Sequence, residues 1–386
     1  MTYTVAFIGT GPDPKNPSTD GFAMAYRHAP GYQRLDDCEL VACADIVREN
    51  AEAFARTHDI PLEHVYTDYE EMLSETRPDI VSICTPPSVH APLVIGTAKS
   101  GVVTAIHCEK PMALTWGDAQ EMARVCDAEG VQLTINHQKR FGKPVRQAKT
   151  LVSEGRIGDV ERVEFGAETL YDMGTHFFDI CNYLNDGSPV EWVLANIDYT
   201  EENVLFGTHN ENQAISQWRY ANGVDGLAST GRAADFVGCQ LRVVGSKGVI
   251  ELGTDEAELR YRVDGADWTV VDTGLDTVHK PVPGRMRSGL TTVASRLPAT
   301  LSSKLTDQLS TTSYEARAIE ELVAALREGT ESELSARHAL AAEELIFASW
   351  ESARRRGRVD LPLDIEDNPL ESMVETGDLV LTSPPA

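Results

Sequence analysis

The sequence predicts an α/β + α+β protein: a doubly wound parallel sheet comes first, and a large open, mostly antiparallel sheet flanked by helices follows. At 386 residues the chain is too long for one small core. Apolar strand-like runs alternate with helical segments up to about residue 138, which is typical of parallel sheets. Short β-type runs separated by turns fill residues 190–272. We therefore expect domains at 1–138 and 139–363, with a disordered acidic tail at 364–386.

The composition argues against several functional classes. The formal net charge is −26, from 60 acidic and 34 basic residues, and only nine of the basic residues are lysine. Such a surface repels nucleic acid and is typical of proteins kept soluble in high salt, as in a halophile. The chain has no long apolar run and no signal-type segment, and its seven cysteines lack metal-type or disulfide-type spacing. We expect a cytoplasmic protein with no metal site and with neither nucleic-acid nor membrane partners.

The first predicted strand, 5–8, leads directly into Gly9-Thr10-Gly11. A Gly-x-Gly turn at this place lets the backbone approach a pyrophosphate, as in dinucleotide-binding Rossmann domains. Prolines then delay the first helix to about residue 19. The second strand, 40–44, ends in Asp45, a residue type that accepts hydrogen bonds from an adenosine ribose and favours NAD. The sequence leaves NADP open as an alternative, and Asp45 as a simple helix cap is another.

The later strands of this domain also end in polar residues. Ligands of open α/β sheets bind outside the carboxyl ends of the strands, so these residues are predicted to line a cofactor and substrate crevice. For Lys110 the alternative interpretation is a solvated lysine at the end of a strand. The predicted residues are Thr85, Pro86 and His90 after the strand at 80–84, Glu109 and Lys110 after the run from 102, and Asn136 and His137 after the strand at 131–135.

The segment 171–184 has the periodicity of a helix, with Asp172 and His176 four residues apart on one face. A carboxylate at this spacing can orient a histidine ring and stabilise its protonated form. A histidine prepared in this way can act as the base that removes a proton from a hydroxyl. An ordinary helical Asp–His pair is the alternative interpretation.

In their order and spacing these motifs resemble the Gfo/Idh/MocA oxidoreductases, and the resemblance covers about residues 1 to 360. It implies that Lys110, Asp172 and His176 handle the proton, with either His176 or Lys110 as the base. It also implies a cis Lys110–Pro111 bond, a nicotinamide between Thr85-Pro86, Lys110 and Asn136-His137, and a homodimer or homotetramer formed through the C-terminal sheet. The matching motifs are Gly9-Thr10-Gly11, Asp45, Thr85-Pro86-Pro87-x-x-His90, Cys108-Glu109-Lys110-Pro111, Arg140-Phe141 and Asp172-x-Gly174-x-His176-x-x-Asp179.

The sequence departs from the family in one place, because only residues 166–171 separate a predicted strand at 160–165 from the helix. Family members have a longer segment there, which forms part of the substrate wall, so the substrate is not transferable from a relative. Residues 277–306 stand out as well, with five basic residues and no acid. We hypothesise that they meet an anionic substrate group; a linker or subunit contact is the alternative. The basic residues are Lys280, Arg285, Arg287, Arg296 and Lys304.

The predicted function is an NAD(P)-dependent dehydrogenase that acts on a secondary hydroxyl of a sugar, polyol or sugar derivative. One alternative keeps the fold and the cofactor but performs NAD-assisted glycoside hydrolysis or elimination. The other is a non-catalytic regulator that senses cofactor or sugar. A regulator would be expected to lack Lys110 or His176, and both are present.

Overall fold

The computed structural model describes residues 2–15, 22–274, 276 and 312–379. Within this part of the chain, the first domain contains a six-stranded parallel sheet in the order β3-β2-β1-β4-β5-β6. The direction of winding reverses between β1 and β4, so a crevice opens at the carboxyl ends of these two strands. The doubly wound prediction is confirmed. The strands are β1 Tyr3–Ile8, β2 Cys38–Ala44, β3 Val65–Tyr66, β4 Ile80–Ile83, β5 Ala105–Cys108 and β6 Gln132–Ile135.

Helices cover both faces of this sheet, which explains why its central strands are apolar along their whole length. Local sequence sets the helix ends: the Thr115 side chain caps α5, and Gly130 ends that helix in the left-handed region. The first helix begins at Ala25, later than predicted, and the described residues before it are not helical. The helices are α1 Ala25–Tyr32, α2 Arg48–His58, α3 Tyr69–Thr76, α4 His90–Lys99 and α5 Trp116–Glu129.

The described part of the second domain is built on a nine-stranded sheet in the order β16-β15-β14-β13-β7-β12-β11-β8-β17. β7 pairs in parallel with β12, and every other pairing is antiparallel. A separate hairpin, β9–β10, stands outside this sheet. The strands are β7 Val160–Ala167, β8 Val190–Asp198, β9 Val204–Leu205, β10 Thr208–His209, β11 Gln213–Tyr220, β12 Asp225–Thr230, β13 Leu241–Gly245, β14 Gly248–Leu252, β15 Leu259–Val263, β16 Thr269–Val270 and β17 Val359–Asp360.

Two helices of the second domain pack on one face of the large sheet, where Phe165 of β7 stacks on Phe177. The opposite face carries Arg–Glu pairs, such as Arg242 with Glu251, and exposes Leu194 of β8 among other residues. The helices are α6 Lys143–Ser153, α7 Asp172–Leu184, α8 Tyr314–Glu328, α9 Ala336–Arg355 and α10 Pro369–Glu375. Of these, α7 and α9 cover the sheet, as the predicted architecture requires.

Helix α8 returns to the first domain, although it follows the second domain in sequence. Its apolar side chains Ile319 and Leu322 join the cluster that contains Phe7 of β1 and Tyr32 of α1. A Cβ at Gly31 would lie only 2.7 Å from the Ile319 side chain, so glycine permits this close approach. The first domain therefore completes its core with residues from beyond 312.

The prediction of a disordered tail from residue 364 is wrong for the residues up to 379. Asn368 caps α10 through its side chain, and Leu370 and Met373 are buried. The acidic, proline-containing composition did not indicate that this segment packs on the fold, because apolar residues spaced over a single short helix are a weak signal. Residues 380–386 lie outside the described part of the chain.

Candidate active site

The Gly9-Thr10-Gly11 turn lies at the switch point of the parallel sheet, between β1 and β4. Gly9 and Gly11 have φ angles of +79° and +65°, which other residues rarely adopt. A Cβ on Gly9 would also collide with the methyl group of Thr85. Asp45 holds the turn, since its Oδ2 accepts hydrogen bonds from the backbone N–H of Thr10 at 2.9 Å and of Gly11 at 3.0 Å.

This turn fits a dinucleotide. The Oγ1 atom of Thr85 is buried beside Gly9 and has no hydrogen-bond partner in the described structure, so a polar group remains available there. Asp45 also accepts a bond from the Val47 backbone through Oδ1, so a ribose hydroxyl would share a carboxylate that already organises the loop. The N–H groups of Thr10 and Gly11 are bonded to Asp45, so the turn offers a dinucleotide close approach at its two glycines rather than free backbone donors.

His90 does not reach the crevice, contrary to its predicted contact with the cofactor. The ring is fully buried, with Nε2 at 2.9 Å from the carbonyl of Thr85 and Nδ1 at 3.0 Å from the carbonyl of Pro111. Its role is to tie the β4 turn to the β5 turn. The Lys110–Pro111 bond in that second turn is cis, as expected.

Glu109 is likewise part of a buried network behind the crevice. Its Oε1 accepts a hydrogen bond from Asn136 at 2.7 Å and contacts Nε2 of His28 at 2.7 Å. Burial alone would lower the pKa of His28, but contacts with Cys84 and Glu109 raise it, so the ring forms an ion pair with Glu109. Sequence reasoning missed His28, because a polar residue within an apolar helix gives no positional signal.

Lys110 and Asp172 form an ion pair in which Nζ donates to Oδ1. The predicted pairing of Asp172 with His176 is therefore wrong. The helical spacing allowed either partner, but the ammonium of Lys110 offers the carboxylate an opposite charge as well as a hydrogen bond, and a neutral imidazole offers only the bond. The loop before α7 fixes Asp172 in place, since the hydroxyl of Thr169 accepts a bond from its backbone N–H at 3.1 Å.

His176 lies beside this ion pair and is almost completely buried. Burial, followed by the positive charges of Lys110 and Lys139, holds the pKa of His176 well below its usual value. The ring is therefore neutral near pH 7, and its Nδ1 has no hydrogen-bond partner in the described structure. The neutral ring can accept a hydrogen bond from a hydroxyl, while burial and the nearby ammonium groups weaken it as a base in the absence of a bound ligand.

His137 connects the first domain to α7 and does not line the open crevice. Its Nε2 lies 2.9 Å from Oγ1 of Thr175, and its ring centre lies 5.7 Å from that of His176. The same Thr175 hydroxyl lies 3.4 Å from Oε1 of Glu343 on α9, a buried carboxyl that also accepts a bond from the Met112 backbone. Burial raises the pKa of Glu343 to about 7.

Two more side chains near Lys110 were not identified from the sequence. Lys139, in the turn after β6, places its Nζ 3.5 Å from Sδ of Met173 on α7. Phe206, at the tip of the β9–β10 hairpin, has its ring centre 5.5 Å from Nζ of Lys110. Because the chain has few lysines, Lys139 could have been noticed in the sequence as a candidate site residue. The hairpin could not, because strands of two residues leave no periodic pattern.

Among the residues that the structure describes, no three His, Cys, Asp or Glu side chains are grouped to hold a metal ion. None of the helices in this part of the chain is long and apolar enough to cross a membrane. The basic segment 277–306, with Lys280, Arg285, Arg287, Arg296 and Lys304, lies outside the described residues.

The fold and the site together define a two-domain protein with a dinucleotide-binding first domain and a Lys–Asp–His cluster at the crevice. Two family models match it: the oxidoreductase family, NAD-binding Rossmann fold, over residues 19–137, and the GFO/IDH/MocA C-terminal domain over residues 161–251. Together they cover more than half of the chain. The protein belongs to the Gfo/Idh/MocA oxidoreductase family, and its first domain is an NAD-binding Rossmann domain.

The individual relatives share only a low sequence identity with this chain. The chain is 27% identical to 2,7-anhydro-N-acetylneuraminate hydratase of Mediterraneibacter gnavus, over 60% of this chain and 65% of that protein. It is also 27% identical to inositol 2-dehydrogenase of Rhizobium meliloti, over 58% of this chain and 70% of that one. Aldose-aldose oxidoreductase from Caulobacter crescentus, crystallised with glycerol, superposes with a TM-score of 0.69 at 21% identity, covering 94% of this chain and 100% of that one. The chain spans between about half and two thirds of the length of the first curated relatives it matches.

Proposed function

We propose that this protein is an NAD-dependent dehydrogenase that oxidises a secondary hydroxyl of a sugar, polyol or sugar derivative, or reduces the corresponding ketone. The observation that carries the proposal is the Lys110–Asp172 ion pair, whose ammonium acts on a buried, neutral His176. The named relatives support a carbohydrate substrate, since one is an inositol 2-dehydrogenase and another an aldose-aldose oxidoreductase. NADP remains the alternative cofactor.

The residues divide the work between binding and proton transfer. Lys110, held by Asp172, would donate a hydrogen bond to the substrate oxygen and stabilise the negative charge that develops on it. His176 would accept the hydroxyl proton, because its ring is neutral and its Nδ1 has no partner in the described structure. When bound, NAD would supply the acceptor for the hydride that leaves the same carbon.

The network behind the crevice would position these groups. Glu109 is bonded to His28 and Asn136, and its Oε2 also accepts a bond from the Lys110 backbone N–H at 3.2 Å. Because this network is buried and charge-paired, it would restrict the direction in which the Lys110 side chain leaves the strand. A homodimer or homotetramer formed through the open face of the large sheet, and a cytoplasmic, halophilic setting, belong to the same proposal.

The test is to follow the absorbance of reduced nicotinamide in high salt with a panel of sugars and polyols, in both directions. We expect turnover of at least one substrate, and a loss of at least about 100-fold in kcat for Lys110→Met and for His176→Asn. Exposed Lys99→Met serves as the control that keeps wild-type turnover. Full activity in Lys110→Met would overturn the assignment of the site.

A second candidate function, NAD-assisted hydration or elimination, is favoured by one observation: the similarity to 2,7-anhydro-N-acetylneuraminate hydratase. In that case NAD would bind tightly but no net reduced nicotinamide would accumulate with any substrate. Product analysis by mass spectrometry, looking for gain or loss of water, separates this outcome from a non-catalytic regulator.

A further inference from the structure

Lys139 is a charged residue of the site for which the proposed reaction has no use. Its Nζ lies 3.5 Å from Sδ of Met173 and 5.4 Å from the ring centre of Phe177. Met173 and Phe177 directly follow Asp172 and His176 on α7. The charges of Lys110 and Asp172 both act on Lys139, so its ammonium lies near the pair proposed to bind the hydroxyl.

The ammonium of Lys139 forms no ion pair with any carboxylate that the structure describes. Asp172, the nearest candidate on α7, is bonded to Lys110 instead. Glu168 influences Lys139 only at longer range and is exposed, in the short loop before α7. By contrast, Lys149 on α6 pairs directly with Asp186. Lys139 is thus left without a directly bonded carboxylate, in a chain whose net charge is −26.

This arrangement disfavours the protonated form of Lys139. Burial, and then the charge of Lys110, lower its pKa to about 8, so the side chain is still protonated at pH 7 but is poorly compensated. A thioether is only a weak acceptor, and a half-buried cation gains most from an anionic partner. A bound anion at Lys139 would also offset part of the positive charge that acts on His176.

We propose that Lys139 binds a carboxylate of the substrate, so that the preferred substrates are sugar acids rather than neutral sugars or polyols. This inference rests on the proposed oxidation of a hydroxyl at Lys110 and His176. In an aldonic or uronic acid the carboxylate lies within a few carbon–carbon bonds of the secondary hydroxyls.

The test compares substrates that differ only in the acid group: D-gluconate with D-glucitol, and D-galactonate with galactitol. We expect kcat/KM of the wild type to favour the acid by at least about tenfold. Lys139→Met should lose about 10- to 100-fold on the acid and less than about threefold on the neutral partner, and Lys139→Arg should recover part of the loss. Lys99→Met, which removes an exposed positive charge, should change neither. Thermal stabilisation of the NAD-loaded protein by gluconate provides a readout that does not depend on turnover.

Equal losses of Lys139→Met on both members of a pair would overturn the carboxylate site, because they would identify Lys139 as a general part of the catalytic machinery. Turnover of the polyols without preference for the acids would also overturn it, while leaving the proposed dehydrogenase intact. If no compound is oxidised, yet gluconate stabilises the wild type and not Lys139→Met, the dehydrogenase proposal fails and the anion site stands. Absence of both turnover and stabilisation would overturn both.

Discussion

The ammonium of Lys110 lies 5.5 Å from the ring centre of Phe206, a residue from a hairpin about a hundred positions away in sequence. Phe206 has a φ of +57°, a conformation that a bulky residue adopts only when its surroundings impose it. Its ring also makes an edge contact with Phe22 of the first domain, at 5.8 Å between ring centres. Phe206 therefore connects the hairpin to the Lys110 ammonium and to the first domain.

We expect Phe206→Ala to lower kcat/KM by about tenfold, mainly through KM, because a sugar face and Lys110 both lose an aromatic contact. Phe206→Gly should lose as much activity, yet unfold with a free energy at least as high as that of Phe206→Ala, because glycine tolerates the positive φ. Denaturant unfolding and steady-state kinetics measure the two effects. The exposed Phe236→Ala is the control; an equal loss of activity in it would remove the case for Phe206.

Glu371 on α10 anchors the hairpin that carries Phe206, since its Oε1 accepts bonds from the Thr208 hydroxyl and the His209 backbone N–H, both at 2.6 Å. We expect Glu371→Ala to raise KM as Phe206→Ala does, and the double variant to be no worse than Phe206→Ala alone. Glu375→Ala, on the same helix and exposed, is the matched control. Additive losses in the double variant would show that Glu371 acts on the site by another route.

Glu343 should make the stability of the protein depend on pH. Its pKa is raised from 4.5 to about 7 by burial, so the folded protein binds the proton more tightly than the unfolded chain. This contribution is complete below about pH 4.5 and is lost as the pH rises through 7. Relative to the wild type, Glu343→Gln should therefore gain on the order of 3 kcal/mol in unfolding free energy between pH 5 and pH 8. A difference that stays constant across this range in urea titrations would contradict the assignment.

Arg140 and Asp179 form a fully buried ion pair with two hydrogen bonds. Arg140→Met should destabilise the protein by about 3–5 kcal/mol, because it leaves an uncompensated buried carboxylate. Arg140→Met combined with Asp179→Leu should recover most of that loss in the same denaturant measurement. The exposed pair Arg124–Glu121 offers the comparison, since Arg124→Met should cost less than about 1 kcal/mol.

Salt should stabilise this chain more than it stabilises an ordinary acidic enzyme. The net charge of −26 generates repulsion between surface carboxylates, and added salt shortens the range of that repulsion. We expect Tm to rise by on the order of 10 °C between 0.1 and 2 M KCl, measured by calorimetry. A Tm that does not change with KCl would remove the basis for the halophilic interpretation.

The strands and their ends could be predicted because hydrophobic periodicity and the turn-forming residues that end each strand are local properties of the sequence. Lys110 and Glu109 follow a buried apolar run, and Asp172 and His176 fall within one periodic helix. The choice of partners could not be predicted, because the helical spacing indicates that Asp172 and His176 share a face but carries no information about the contact of Asp172 with Lys110. Only the tertiary structure determines which contact forms.

The remaining features depend on contacts between distant segments, which a local pattern does not encode. The hairpin with Phe206 has strands of only two residues each. Glu371, which anchors it, lies in an acidic, proline-containing stretch whose composition is typical of a disordered tail. Sequence order places His90 and Glu109 after strands that end at the crevice. Burial then shows that they support the site from behind, a distinction that residue type alone does not make.

The return of α8 to the first domain sets a limit on how this protein can be recombined. Residues 1–138 contain the whole parallel sheet, but the core around Phe7 and Tyr32 is completed by Ile319 and Leu322 of α8. A chimera that exchanges only the amino-terminal segment would pair one parent's sheet with the other parent's covering helix. Shuffling of cofactor domains in this protein therefore requires two crossovers in addition to the junction near residue 138, so that the helix travels with the sheet it covers.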